Sequence, residues 1–448
     1  MNSDRMEQIV SLAKRRGFIW QGSDVYGGMR GTWDYGPLGV ALKHKIMQEW
    51  WSFWVEERSD MYGVDAAIIM NPKVWQASGH VATFSDPLVE DLKTGERYRA
   101  DHLLKDSGVN AEGLSNEQLT AKIKEYGVKS PNGNELSEVR NFNMMFQTNV
   151  GAVVNDNSVA YLRPETAQGI FTNYKNVVDS FYPDLPFGIA QQGKAFRNEI
   201  SPRDFVFRSR EFEQMEIEYF VNPNNWQQDF DSLLSSTYKF LTEKMGLNAN
   251  DIHELDVPEE DRAHYSKKTI DIEFDYPIGR EELMGIAYRT DFDLSNIARV
   301  SGKNMEYVDK NSKEKFIPHV IEPSFGVERL LMAILSTAYT EVQEDGKTRT
   351  YLKFPDNLAP ISIIVAPLLK NKPALVEKAK EVYNQLRKKY NNVSLDMSGK
   401  IGKVYAKADE IGVPKVVVID FDTIEKDGQV SVRNRDDASQ IRQKADEI

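Results

Sequence analysis

Between residues 193 and 220, GKAFRNEISPRDFVFRSREFEQMEIEYF, two β-rich runs flank a turn-prone ISPRD segment, which predicts a long antiparallel hairpin. Alternate side chains of a strand share a face. That period groups Gln191, Gly193, Ala195, Arg197 and Glu199 on the first strand. On the second it groups Arg208, Phe212, Gln214 and Glu216, with Met215, Ile217 and Tyr219 on the other, apolar side. One face reads as core. The other is either a solvated surface or a floor whose arginines, aromatic plate and carboxylates suit a ligand with phosphates, a flat ring and an ammonium group.

Helical periodicity is predicted over 6–16, 40–57, 115–126 and 225–245. Trp50, Trp51 and Trp54 lie among the apolar positions of the second helix, so it is either core or a subunit interface. Residues 65–72 read as a buried strand ending at Pro72, and 84–139 turn polar, as an insertion would. The segment LRPETAQG, 162–169, opens a helix running to about 178, its proline followed by an acid in the manner of a first helical turn. Strands are predicted over 268–274 and 282–288. In VIEPSFGVER, 320–329, a strand breaks into a helix whose apolar positions include Leu330, Leu331, Ile334 and Leu335. Strand period puts Glu322 and Ser324 on one face. Gly326 permits close backbone approach where the helix begins, and Arg329 sits near its positive end, so a triphosphate would meet the dipole, N–H groups and a guanidinium together. From 352 onward, strands (361–365, 393–397, 415–419, 429–432) alternate with helices (374–390, 403–411), a separate α/β unit reached through a charged linker within 340–350.

At 448 residues the chain is long enough for two or three domains. It has no cysteine, six histidines and no HExxH spacing, so disulfides and thiolate zinc sites are excluded and no protein-bound zinc is expected. Zero cysteine suits a reducing, cytoplasmic setting. The first residues are charged and amphipathic and no run approaches 18 apolar residues, so neither export nor a membrane span is expected. Net charge is -12, but 352–448 carry 17 Lys+Arg against 14 Asp+Glu, leaving that part weakly positive and the remainder acidic. The imbalance permits an RNA-facing tail and proves nothing more.

Phe196-Arg197-Asn198-Glu199, a loop, then Arg208-x-x-x-Phe212-x-x-x-Glu216 resembles motif 2 of the class II aminoacyl-tRNA synthetases. The order of long helix, strand and terminal proline resembles motif 1, and 320–329 resembles motif 3. RPETAQG, FEQME and ELMGIAYRTDFDL extend the likeness to the glycyl-tRNA synthetase family of class IIa, homodimeric type, over nearly the whole chain. The resemblance implies an α+β fold. Residues 1–345 would form a catalytic domain on an antiparallel sheet with flanking helices and an insertion at about 84–140, 346–351 a linker, and 352–448 an α/β anticodon-binding domain. It implies glycine, ATP with Mg2+, and tRNA-Gly as partners. Glycine would be converted to glycyl adenylate plus pyrophosphate and then transferred to the 3′ end of the tRNA.

By the same resemblance, Arg197, Glu199 and Arg329 are the catalytic residues. ATP would meet these with Asn198, Phe207, Arg208, Phe212, Glu282, Leu283 and Gly326, and Glu282 would also hold the magnesium. Glycine would meet Arg99, Glu165, Phe212, Gln214, Glu216, Arg289, Glu322 and Ser324, while Arg203, Asp409, Glu410, Arg433 and Arg435 would touch tRNA. The chain departs from the family's common pattern at 278–281, which lacks a tryptophan-containing turn, and at 404–408, which is less basic. Two rivals are a synthetase-like protein that only binds nucleic acid and a class IIa enzyme for another amino acid. The presence of Arg197, Glu199, Phe212 and Arg329 argues against the first. The absence of cysteine argues against the zinc-dependent threonine enzyme.

Overall fold

The computed structural model describes all residues except 1–2, 112, 156–157, 345 and 427. Its central sheet contains β1 (Met61–Gly63), β2 (Phe187–Phe196), β3 (Glu211–Val221), β4 (Ile252–Asp256), β5 (Lys268–Tyr276), β6 (Gly279–Thr290) and β7 (His319–Gly326). Their spatial order is β4-β5-β6-β7-β3-β2-β1, antiparallel throughout except for β1 beside β2. The alternation read from sequence decides what each face does. Met215, Ile217 and Tyr219 enter the larger core with Ile286, Ile321 and Phe325. That core is closed by helices α1 (Ser3–Arg16), α2 (Pro37–Trp51) and, further along the chain, α4 (Val327–Ala338), which is buried almost all round because it is apolar on nearly every side. Helix α3 (Ala167–Phe181) covers only one end of the opposite face, packing Ile170, Phe171 and Tyr174 on Phe187, Ile189 and Phe220. The rest of that face is polar and left open.

Trp50 and Trp54 are fully buried and stack near Phe325, with ring centroids 6.2 and 6.0 Å away. They belong to the core, while Trp51 on the same helix is only half-buried. The long helix ends its regular α turns at Trp51 and continues as a wider π turn, Ser52–Glu56. The strand expected at 65–72 does not form. Ala66 gives its carbonyl to the Arg163 side chain at 2.8 Å, and Ile69, half exposed, makes only an isolated bridge to Leu162, so no ladder can propagate. Pro164 and Glu165 lie just before α3 rather than inside its first turn. The insertion builds its own small sheet from Ser85–Glu90, Arg97–Arg99 and Arg140–Asn143. Its helix Asn116–Glu125 is capped by Ser115 and Gln118, and Val89, Leu104, Leu119 and Ile123 make its core.

Residues 346–351, expected as a linker, fall instead in a two-stranded hairpin, Tyr339–Glu344 with Lys347–Leu352. Beyond it, β8 (Ile363–Pro367), β9 (Val393–Leu395), β10 (Lys415–Ile419), β11 (Val430–Asn434) and β12 (Gln440–Gln443) form a second sheet, ordered β9-β8-β10-β11-β12, with the first three parallel. Helices α5 (Pro373–Leu386) and α6 (Ile401–Glu410) pack on its opposite faces. The edge strand β12 was not foreseen from sequence: QIRQ is short and mostly polar, and it pairs only because β11 offers it a free edge.

Candidate active site

Antiparallel register sorts the open face of the central sheet into rows. One row reads Gly193, Gln214, Gly326; the next reads Gln191, Glu216, Ser324, Gly285, Asp271. A third carries Ile189 and Glu218, then Glu322, Ala287 and Thr269 on the neighbouring strands. The glycines are what keep this floor open. A Cβ on Gly193 would lie 2.2 Å from the Arg163 guanidinium, which crosses the floor there.

Arg197, Glu199 and Arg208, predicted on strands, lie instead in the connection between β2 and β3. Pro202 lacks an N–H for a ladder, and Asp204 and Phe205 both adopt left-handed backbone, with φ of 59° and 57°. The loop turns back on itself, and Arg197 N–H donates to the Arg210 carbonyl at 2.9 Å. The Arg197 Nε donates to the Pro164 carbonyl at 3.1 Å, and its guanidinium stands 5.3 Å from the Phe212 ring centroid. Arg329 comes from the opposite side of the same space, 4.8 Å over Phe207, ion-paired with Glu282 at 2.9 Å.

These two arginines line one cavity of about 310 Å3. Glu199, Phe207, Arg208, Phe212, Leu283 and Gly326 share it, and so does Arg99. A second chamber of about 280 Å3 holds Glu165, Glu216 and Glu322, and the two spaces have Arg197, Gln214, Glu282 and Ser324 in common. Arg99, predicted among the amino-acid contacts, lies in the first cavity, held by Asp86 at 2.8 Å and Asp101 at 2.6 Å. Phe212 likewise lines only the first. Arg289 lines neither: it is buried behind the chamber, bound to Asp293 at 2.8 Å and to Glu322, and so orients the Glu322 carboxylate. Asn198 also lies outside both linings, its N–H bonded to the Met144 carbonyl at 2.7 Å. Arg203 is exposed and paired with Asp204 at 3.2 Å.

Four residues predicted to touch tRNA are committed elsewhere. Asp409, Arg433 and Arg435 are almost completely buried. Asp409 accepts from both Arg433, at 2.8 and 2.9 Å, and Arg349, at 2.9 and 3.1 Å. Arg435 donates to the Gly412 carbonyl at 3.1 Å, and Glu410 pairs with Arg15 at 3.1 Å and with Arg16. Charged residues signal a surface only if they face outward; these face the junction of α6, the hairpin and α1.

Several site residues were not singled out from sequence. His80 is buried 3.4 Å from Glu165 and bonded to Ser78 at 2.8 Å. The Thr166 N–H donates to Glu216 at 2.9 Å, beside Gln214 at 3.0 Å and the Ser324 hydroxyl at 2.7 Å. Tyr265 lies 3.8 Å beneath the Arg289 guanidinium. Glu328 receives the Tyr35 hydroxyl at 3.0 Å and the Glu213 N–H at 2.9 Å, next to Phe212. Of these, Thr166, inside RPETAQG, and Glu328, inside VIEPSFGVER, lie in segments that carried a signal in sequence; isolated histidines carry none.

Burial raises the carboxyls of this chamber while neighbouring cations oppose it. For Glu165 the His80 ring, Arg289 and Arg197 win over burial and hold it down at about 2. Glu216 is pushed up by burial and by the charge of Glu165, against the bonds from Thr166 and Ser324. Glu218, fully buried with neither oxygen hydrogen-bonded, is pushed far above the usual carboxylate range by burial and by Glu322. A preorganised acidic chamber of this kind suits a small cation, and the arginine-lined cavity beside it suits phosphates.

The tRNA synthetase class II core domain (G, H, P, S and T) matches residues 150–338, and the anticodon binding domain matches residues 362–448. A glycine–tRNA ligase of Caldanaerobacter subterraneus subsp. tengcongensis is 45% identical over 99% of this chain and 96% of its own length. One of Deinococcus radiodurans is 45% identical over 100% and 98%. The chain belongs to the glycine–tRNA ligase family. A third relative, from Clostridium acetobutylicum, is 45% identical over 99% of this chain and 97% of its own. The class II core match spans α3 and strands β2 to β7, hence the whole floor of both cavities, and the anticodon-binding match begins one residue before β8.

Proposed function

We propose that this chain activates glycine with ATP, releasing pyrophosphate, and then esterifies the glycyl group to the 3′ end of tRNA-Gly. The observation that carries the reading is the junction of the two cavities at Arg197, with Arg329 across the first and three glutamates across the second. In the first step a glycine carboxylate oxygen attacks the α-phosphorus of ATP and pyrophosphate leaves. Both reactants are anionic, so the side chains present must neutralise charge as it develops; no nucleophilic residue is needed. Arg197 faces the α-phosphate from the boundary, Arg329 and Arg208 hold the outer phosphates, and Phe212 stacks on adenine. Glu165, Glu216 and Glu322 receive the ammonium, and Ser324, tied to Glu216, closes the space a larger side chain would need.

Magnesium would enter with ATP. Among the described residues no group of three or more His, Cys, Asp or Glu could hold a metal ion. One half-exposed carboxylate, Glu282, stands at the cavity beside Arg329. That fits an ion bound mainly by phosphate and water, with Glu282 as its protein ligand, offsetting triphosphate charge. The C-terminal unit is assigned to the tRNA anticodon, with Arg203 near the acceptor end. The functional unit is taken as a homodimer in the cytoplasm; among the described residues no helix is long and apolar enough to cross a membrane.

The test is ATP–pyrophosphate exchange by the purified chain with each amino acid in turn. Glycine should drive exchange and alanine should not. Exchange driven by another amino acid, or by none, overturns the reading.

A further inference from the structure

The three glutamates of the second chamber are not held alike. Glu216 accepts from the Thr166 N–H, Gln214 and Ser324, and Glu322 is fixed by Arg289. Glu165 has looser partners among the described residues. Its Oε1 lies 3.4 Å from the Gln168 amide, which is drawn away to Asp293 at 2.8 Å, and its Oε2 lies 3.4 Å from His80 Nε2. Both Glu165 and His80 are buried, so bulk water does not fix the carboxylate in their place.

His80 is itself firmly set. Gly79, left-handed at a φ of 88°, breaks the chain between the short helices Lys73–Ala77 and His80–Thr83. The His80 ring then stands between Trp75 and Phe84, with centroids 5.4 Å from each, and its Nδ1 is 2.8 Å from the Ser78 hydroxyl. The Arg197 guanidinium lies 5.5 Å over Phe84, so segment 75–84 braces the phosphate side and the ammonium side together. An ionised carboxylate offers only acceptors, so Nε2 must carry a hydrogen toward Glu165. Ser78 allows this in either charge state of the ring. Its hydroxyl donates to Nδ1 of a neutral imidazole, or to the Trp75 carbonyl at 3.4 Å while accepting from an imidazolium.

Resting on the ligase reading above, we propose that His80 is a positioning residue of the amino-acid site, aiming the Glu165 carboxylate at the glycine ammonium. His80 lines neither cavity, so its effect reaches the substrate only through Glu165. Burial alone would raise the Glu165 carboxyl, and His80 leads Arg289 and Arg197 in holding it down at about 2. The contribution is therefore confined to the ammonium; other side chains meet the adenosine and the phosphates.

The test compares two ligands of the whole protein by calorimetry: the non-hydrolysable sulfamate analogue of glycyl adenylate, and its desamino counterpart with hydrogen in place of the ammonium. Wild-type protein should prefer the first. His80→Phe keeps a ring between Trp75 and Phe84 but gives Glu165 no N–H. Its affinity for the ammonium-bearing analogue should fall about tenfold, the size of one lost charge-assisted hydrogen bond, while that for the desamino analogue stays within about twofold. In pyrophosphate exchange the KM for glycine should rise by a similar factor, with kcat and the KM for ATP within about threefold. His80→Gln, which restores an N–H donor, should recover most of the preference. Equal losses for both analogues, or an unchanged preference in His80→Phe, overturn the proposal, as does a His80→Gln protein no better than His80→Phe. Should His80→Phe fail to fold, Ser78→Ala decides, because it keeps the ring and removes its anchor. A loss of about threefold confined to the ammonium-bearing analogue is then expected, and no loss overturns the proposal. A failed ligase reading would differ, since wild-type protein would then show neither glycine-dependent exchange nor a preference between the analogues.

Discussion

Arg197 does its work from an irregular loop, which places the demand for rigidity on its neighbours. Its Nε is tied to the Pro164 carbonyl and its plane rests near Phe212, so the remaining guanidinium N–H groups are aimed before a substrate arrives. Preorganised donors of this kind stabilise charge without reorganising during the reaction. Arg197→Ala should therefore leave the melting temperature close to wild type and cut glycine-dependent pyrophosphate exchange by about a hundredfold or more. Exchange within a few fold of wild type would remove Arg197 from the chemistry. Period-two reading grouped Gln214 with Glu216 on one strand and Glu322 with Ser324 on another, and register brings the two pairs onto one face. The same reading extended the strands too far at Arg197 and Arg208, because it could not see the two left-handed residues that end the ladder.

At the scale of elements, α6 ends in Asp409-Glu410, which joins three pieces of structure: the hairpin through Arg349, β11 through Arg433, and α1 through Arg15 and Arg16. Removing one member of a buried ion-pair set leaves the others charged and unpaired, at about 3 kcal/mol or more. Asp409→Ala should lower the unfolding midpoint by several degrees while glycine-dependent exchange at 25 °C stays within about twofold. Unchanged melting with weakened tRNA binding would return Asp409 to the RNA surface. The hairpin that replaces the expected linker follows from the same junction. Its charged sequence looked like a connector, yet Arg349 and Tyr351 are held on the C-terminal unit's side, with the Arg349 guanidinium 4.6 Å over the tyrosine ring.

Over the whole molecule, Trp50 and Trp54 are spent on the core, while Trp51 on the same helix keeps a half-buried ring that a dimer could cover. Large apolar side chains do remain in solvent, Tyr26 at 93% and Tyr182 at 69% exposed among them. Sedimentation at micromolar concentration should show twice the chain mass. A monomer at every concentration tested would rule the dimer out and require one chain to complete both steps alone.

The two-faced hairpin, the helix of the insertion and the α/β character of the last hundred residues follow from local periodicity, which depends only on neighbours along the chain. Tertiary structure alone decided where the main strands stop, which charged residues turn inward at α6, and that Arg197 and Arg329 meet across one cavity. Those outcomes depend on register and on burial against distant segments, and burial changes what a charged side chain can do.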